Sequence, residues 1–145
     1  FIVSGESMHP TFENGEYLLV DELSYHFRTP ERGEVIIFRF PRDPKKFFIK
    51  RVIGLPGETV AIENNEVTIN GTVLAEPYVE STPGGNMERA LAADEYFVLG
   101  DNRGASSDSR YWGPVAEDMV IGRALLRLFP ISEARVLPGN YEFAH

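Results

Sequence analysis

The sequence contains no cysteine. That absence excludes disulfide bonds, thiol nucleophiles and zinc sites built on thiolate ligands. Histidine is scarce as well, since only His9, His26 and His145 occur, and they show no HExxH-like spacing. We therefore predict no metal ion and no cofactor. The sequence also offers no evident histidine base for a Ser-His-Asp triad.

The sequence also has few basic residues and lacks long apolar runs. The chain has 14 Lys and Arg against 22 Asp and Glu, a formal net charge of -8. Phosphate contacts need clustered basic side chains, and the short basic stretch at 45–51 is too small to reverse that charge, so no nucleic-acid partner is expected. No apolar run approaches the ~20 residues that span a bilayer. The chain begins with a strand-like FIV, and we expect either a complete soluble protein or the part that follows a membrane anchor.

What the sequence does contain is a β pattern: short runs of β-branched and aromatic residues separated by Gly, Pro and Asn turns. Strands are predicted at 17–20, 35–40, 47–53, 59–63, 66–70, 72–75, 96–99 and 121–128, with hairpin turns at 64–65 and 70–71 and a loop at 81–86. Helical turns are predicted at 88–92, 116–119 and 132–135, and disorder after residue 138. The pattern favours an all-β, mostly antiparallel domain of barrel or sandwich type.

The first segment suited to chemistry is SGESMHPT, residues 4–11. Its Ser7 follows a glycine-containing bend and precedes a Pro-Thr turn. The hydroxyl can therefore project while local backbone N–H groups point at one spot, as an oxyanion hole requires. The alternative is a polar turn in which the Ser7 hydroxyl satisfies the local backbone.

The second segment is FFIKRVIGLPG, residues 47–57. In strict alternation Lys50 falls on the same face as Phe48 and Val52. If the amine is buried, its pKa falls by about 3–5 from ~10.4, and the neutral amine can act as a base near pH 7. The alternative is a lysine that extends along the apolar face and keeps its charge in water.

The third segment is GDNRGASSDSRYWG, residues 100–113, which is dense in small polar and oppositely charged groups. Alternate residues Ser106, Asp108 and Arg110 can form one hydrogen-bonded array, with a bidentate Asp–Arg pair bracing the loop. Ser106 can orient the amine of Lys50. The alternative is a polar surface loop. Taken together, the three segments supply a nucleophile, a base other than histidine and a supporting array.

These segments resemble the conserved boxes of bacterial type I signal peptidases. The matching patterns are SMxPT at 7–11, FIKRVxGxPG at 48–57 and GDNRxxSxDSRxWG at 100–113, in the family's order, and the resemblance extends to about Pro130. It implies a signal-peptidase-like β fold and a serine endopeptidase that removes signal peptides from secretory preproteins after an A-x-A-like site, through an acyl-enzyme.

The resemblance also implies roles for individual residues. Ser7 would be the nucleophile and Lys50 the general base, with Ser106 hydrogen-bonded to Lys50 and an Asp108–Arg110 ion pair bracing the loop. The Ser7 backbone N–H would be one oxyanion donor. The second donor is a serine hydroxyl in some members, but Gly5 stands at that position, so we leave it unassigned. The positions that match the shallow substrate pockets are Val3, Ser4, Met8, Phe48 and Ile49.

For the organisation of the chain, the resemblance implies a catalytic core at 1–58 and 96–130, a small inserted β subdomain at 59–95 and a C-terminal tail at 131–145. The family normally has a transmembrane anchor before the nucleophile segment, absent from this chain. The expected location is therefore the cell membrane, with the catalytic domain on the extracytoplasmic side and the membrane surface as a partner. Aromatic residues near the motifs are candidates for lipid contact or for the core: Phe1, Phe12, Tyr25, Phe27 and Trp112.

Two other functions fit parts of the pattern. One is a self-cleaving SOS-type repressor domain, which also uses serine and lysine but needs a scissile bond in its own N-terminal segment. The other is a non-catalytic β domain that binds peptides. This second alternative predicts that Ser7 and Lys50 need not be close and that Lys50 titrates normally.

Overall fold

β-Strands are the main regular element of the described chain, which in this computed structural model comprises residues 1–64, 66–79, 85–129, 135–141 and 143. The strands are β1 (Tyr17–Asp21), β2 (Val35–Phe40), β3 (Asp43–Gly54), β4 (Thr59–Glu63), β5 (Glu66–Ile69), β6 (Thr72–Val73), β7 (Met87–Ala90), β8 (Glu95–Leu99), β9 (Val115–Ala116), β10 (Val120–Phe129) and β11 (Arg135–Val136). One short helix, α1 (Ser109–Trp112), and 3₁₀ turns at Ser24–His26, Arg103–Ala105 and Glu117–Met119 complete the described elements. Within these ranges no helix has the length and apolarity to cross a membrane.

The described strands form two antiparallel sheets. The larger has the order β1-β10-β2-β3-β8-β9, with β11 also paired to β10, and the smaller has the order β6-β5-β4-β7. The smaller sheet uses only strands between residues 59 and 90. The predicted all-β, mostly antiparallel fold is confirmed.

The centre of the larger sheet follows from the sequence of β2. Its residues 35–38 (VIIF) are all buried, as expected for an apolar run covered on both faces. Val35 and Ile37 pack into one core cluster, whereas Ile36 and Phe38 pack into another on the opposite face. The two-residue period of the strand thus divides the core into two layers.

A third core cluster joins the two sheets. It contains Ile53 of β3, Phe97 of β8 and Val60 of β4, all fully buried. The smaller sheet therefore packs against the β3–β8 end of the larger one through apolar side chains.

Strand β3 has two differently paired parts. From Arg51 onward it pairs with β8 on one side, but among the described strands its earlier residues pair only with β2. The stretch that carries Lys50 thus has one strand edge that no other described strand occupies. The N-terminal segment forms an isolated bridge with β1, between Ile2 and Tyr17.

Some local predictions are wrong. The predicted helical turn at 88–92 falls on β7, because β4 offers an open edge that residues 87–90 can pair with. The helix α1 inside the third segment was not predicted. The described residues after 138 are ordered by contacts, since Tyr141 packs edge-on against Tyr78. Residue 65 of the first hairpin turn, residues 81–84 of the predicted loop and 132–134 of the last helical turn lie outside the described residues.

Replacing Ile53 with alanine tests the junction between the sheets. Ile53 is fully buried, so Ile53→Ala should lower the free energy of unfolding by about 2–5 kcal/mol, measured by denaturant titration. Val73→Ala, at an exposed site on β6, is the matched control and should change it by less than about 0.5 kcal/mol. Equal losses in the two variants would contradict the packing described here.

Candidate active site

The nucleophile segment is held by its apolar residues. The Val3 N–H donates to the Glu16 carbonyl at 2.8 Å, and the Phe12 N–H donates to the Met8 carbonyl at 2.9 Å. Val3, Met8 and Phe12 are buried in one core cluster. Because these side chains face inward, the polar residues between them are left at the surface, and Ser7 is half-buried among them.

Lys50 is brought to Ser7 by strand β3. Its Nζ lies 2.9 Å from the Ser7 Oγ, within hydrogen-bond distance. Lys50 is only 5% exposed, so the alternative of an amine held in water is wrong. Burial lowers the pKa of the Lys50 amine to about 8, although the nearby Asp108 carboxylate acts in the opposite direction. A non-catalytic domain has no need of this contact.

A cluster of aromatic rings lies next to the Lys50 amine. The Phe48 ring centroid is 5.1 Å from the Lys50 Nζ, and Phe48 stacks on Phe40 with centroids 4.4 Å apart. Trp112 packs edge-on against both rings, 6.2 Å from Phe48 and 5.4 Å from Phe40. The Phe48 ring thus takes part in the burial that lowers the pKa of the Lys50 amine.

The expected brace in the third segment is present. The Arg110 Nε donates to Asp108 Oδ1 at 2.8 Å, and a terminal nitrogen donates to Oδ2 at 3.0 Å. The Gly100 N–H also donates to Asp108 Oδ2, at 3.1 Å, and Arg110 donates to the Arg103 carbonyl at 2.8 Å. Asp108 therefore ties the start of the loop to its end.

The hydrogen bond expected between Ser106 and Lys50 is not present. The Ser106 Oγ is buried and has no hydrogen-bond partner among the described residues. It lies instead against Gly100, in the space that a side chain at residue 100 would fill.

Gly100 is a point of close approach between the first and third segments. A Cβ there would overlap the Ser106 hydroxyl and lie 2.6 Å from the Ser7 carbonyl oxygen. Two hydrogen bonds hold the backbones at this distance: the Asn102 N–H donates to the Ser7 carbonyl at 2.8 Å, and the Asn102 Nδ2 donates to the Glu6 carbonyl at 3.0 Å.

The sequence analysis missed a buried ion pair beside the site. Arg51 donates to both oxygens of Asp101, at 2.9 and 2.7 Å, and both side chains are buried. Asp101 also accepts a hydrogen bond from the Thr11 hydroxyl. One pair therefore links all three motif segments. The signal in the sequence was two opposite charges within otherwise apolar or small-residue motifs.

The expected oxyanion donors differ in availability. The Ser7 N–H has no acceptor among the described residues, and it is free to bind a substrate oxygen. The Gly5 N–H donates to the Asn14 side chain at 2.9 Å, so Gly5 does not supply the second donor in this structure. Gly5 has a φ of 87°, a conformation that favours glycine at this bend.

The expected pocket residues separate into two groups. Val3, Met8 and Ile49 are buried in one core cluster. Phe48 is half-buried and packs against the cluster on the opposite face of the sheet, whereas Ser4 is exposed.

A serine hydroxyl in contact with a buried amine, on an antiparallel β fold, is the arrangement that a serine hydrolase without histidine requires. Comparison with known proteins agrees. The family model described as "Signal peptidase, peptidase S26" matches residues 1–129. The chain belongs to this signal peptidase family.

Named relatives support the same membership. Signal peptidase I of Leptolyngbya laminosa is 44% identical over 139 residues, covering 90% of this chain and 68% of the relative. Signal peptidase I V of Bacillus subtilis is 37% identical over 135 residues, covering 83% and 79%. The crystal structure of a signal peptidase I from Enterococcus faecalis is 34% identical, with a TM-score of 0.61 over 66% of this chain and 97% of that chain. The resemblance inferred from the sequence is confirmed. Membership in the signal peptidase family is therefore favoured over the self-cleaving repressor alternative.

Substituting the two glycines of the third segment tests the close approach at Gly100. Gly100→Ala should lower the thermal unfolding midpoint by several degrees, because the added methyl must displace Ser106 and the Ser7 backbone. Gly104→Ala is the control, since a Cβ there meets nothing within 4 Å. Equal unfolding midpoints for the two variants in calorimetry would show that the segments are not in close contact.

Proposed function

We propose that this chain is a serine endopeptidase that removes N-terminal signal peptides from secretory preproteins. The observation that carries the proposal is the 2.9 Å contact between the Ser7 hydroxyl and the buried Lys50 amine. Membership in the signal peptidase family, matched over residues 1–129, supports the substrate class.

The mechanism follows from the neutral state of the amine. Lys50 takes the proton from the Ser7 hydroxyl as Oγ attacks the scissile carbonyl carbon, and the carbonyl oxygen becomes an oxyanion that accepts a hydrogen bond from the Ser7 N–H. The Lys50 ammonium then donates its proton to the leaving amine, which leaves an acyl-enzyme. Water attacks this ester with Lys50 again as the base, and Ser7 is regenerated.

The supporting residues act through the loop at 100–110. The Asp108–Arg110 pair holds the two ends of that loop, and the Asp108 charge moderates the fall of the Lys50 pKa. In this proposal Ser106 contributes by packing, because its buried hydroxyl lies against Gly100 beside the Ser7 backbone.

The substrate would bind as an added strand. The part of β3 before Arg51 pairs only with β2 among the described strands, so its other edge can bind the backbone of an extended peptide. Val3, Met8 and Ile49 are already packed in the core, so the substrate pockets that we propose at these residues would be shallow. Shallow apolar pockets would accept alanine at the first and third positions before the cut and reject larger side chains.

We also propose that the domain lies on the extracytoplasmic side of the cell membrane. Exposed apolar side chains near the chain start support a lipid-facing surface: Ile2, Tyr17 and Leu19. Of the aromatic residues proposed for lipid contact, Phe27 is exposed but Phe12 is fully buried, so Phe12 is not available. The net charge of -8 disfavours binding to nucleic acid.

The division into a core at 1–58 and 96–130, an insert at 59–95 and a tail at 131–145 likewise remains a proposal. It is supported by the separate sheet that β4 to β7 form. The shared apolar cluster around Ile53 and Val60 indicates that the insert is packed firmly on the core.

Removing either member of the pair should abolish cleavage. Ser7→Ala and Lys50→Met should each lower kcat/KM at least about 10³-fold on a peptide with alanine at the first and third positions before the cut. Lys46→Met, at an exposed site on the same strand, is the control and should retain activity. Wild-type turnover in either of the first two variants would exclude the pair as the catalytic machinery.

The pH dependence of cleavage follows from the Lys50 pKa. Only the neutral amine is a base, so kcat/KM should fall about tenfold per pH unit below the pKa and level off above it. Because burial lowers that pKa to about 8, the midpoint should lie near pH 8, well below the ordinary lysine value. A kcat/KM that stays constant from pH 5 to 9 would show that Lys50 is not the base.

A further inference from the structure

Glu76 lies outside all three motif segments, yet it binds a buried arginine of the third segment. Arg103 donates one terminal nitrogen to Glu76 Oε1 at 3.0 Å and the other to Oε2. The Arg103 side chain is completely buried, and that of Glu76 is 11% exposed. A buried guanidinium needs such a partner, because an uncompensated charge in the interior is strongly destabilising.

Arg103 also connects Glu76 to the loop at 100–110. Its Nε donates to the Gly100 carbonyl at 2.7 Å, and its own carbonyl accepts a hydrogen bond from Arg110 at 2.8 Å. Gly100 in turn lies against the Ser7 carbonyl, with no space for a Cβ between them. A continuous set of contacts therefore joins the Glu76 carboxylate to the backbone of Ser7.

Tyr78, two residues further along, covers the other buried arginine. Its ring centroid is 3.9 Å from the Arg51 guanidinium carbon, and its hydroxyl donates to Glu76 Oε2 at 3.0 Å. Arg51 is the partner of Asp101. The segment from Glu76 to Tyr78 therefore closes over both of the arginines that hold the loop at 100–110.

We infer that Glu76 is a positioning residue for the Ser7–Lys50 pair and acts through Arg103 and Gly100. The inference rests on the proposed function, since it concerns the same site. Glu76 contacts neither Ser7 nor Lys50. When its charge is removed, Arg103 must move toward water, which withdraws the support of Gly100 and shifts Ser7 relative to Lys50. A displacement of about 1 Å at a reacting group can cost about 10²-fold in rate.

The test compares Glu76→Gln with Glu88→Gln, an exposed glutamate on β7 of the smaller sheet. Cleavage of the alanine-containing peptide is measured from pH 6 to 10, and activities are divided by the folded fraction from thermal unfolding. Glu76→Gln should lower kcat about 10–100-fold with KM changed less than about twofold, and raise the apparent pKa, because the Lys50 amine is better hydrated once Ser7 has shifted away from it. Glu88→Gln should match the wild type, and Glu76→Asp should restore at least part of the rate.

A second readout does not depend on activity. The Asn102 N–H donates to the Ser7 carbonyl, so its hydrogen exchange reports the contact between the two loops. Exchange should be faster in Glu76→Gln and unchanged in Glu88→Gln. Unchanged exchange, or a kcat that falls only with the folded fraction at a constant apparent pKa, would overturn the inference. A wild type that leaves the peptide uncut would instead refute the proposed function, and the exchange result would still decide the role of Glu76.

Discussion

The structure depends on one contact, the 2.9 Å approach of a buried lysine amine to a serine hydroxyl. An amine in water is charged at neutral pH and cannot take a proton. Burial lowers the Lys50 pKa from 10.5 to about 8, a change that corresponds to about 3 kcal/mol of disfavoured charge. The favourable interactions in the rest of the fold must offset that free energy. Strand β3 fixes the position of Lys50, and the Phe48 ring lies next to its amine.

Three buried or nearly buried ion pairs surround this contact. They are Arg51–Asp101, Arg103–Glu76 and Arg110–Asp108. Such pairs contribute little net stability, because desolvation offsets most of their attraction, but breaking one leaves a charge without compensation. Their value here is geometric, since each fixes the loop at 100–110 at a different point. The loop then holds Ser7 through the Asn102 hydrogen bond.

Much of the site could be predicted from local sequence, because the relevant signals are local. The alternation of Phe48, Lys50 and Val52 placed the lysine on an apolar face but left open whether its amine is buried. The Asp108–Arg110 brace was one of two options from the charges of the loop and was implied by the family resemblance. The direction of the Ser106 hydroxyl could not be predicted, since a rotamer is set by packing around it. Arg103 and Glu76 are 27 residues apart in the sequence, and no periodic pattern of residues indicates such a contact. The strand β7 was missed because the open edge of β4, and not intrinsic propensity, determines its conformation.

The most direct measurement of the central claim is a titration of the Lys50 side chain itself, by NMR of its ¹³Cε resonance in the folded protein. The midpoint for Lys50 should lie near 8. A midpoint near 10.5 would mean that the amine is hydrated and charged at neutral pH, and would contradict the central claim.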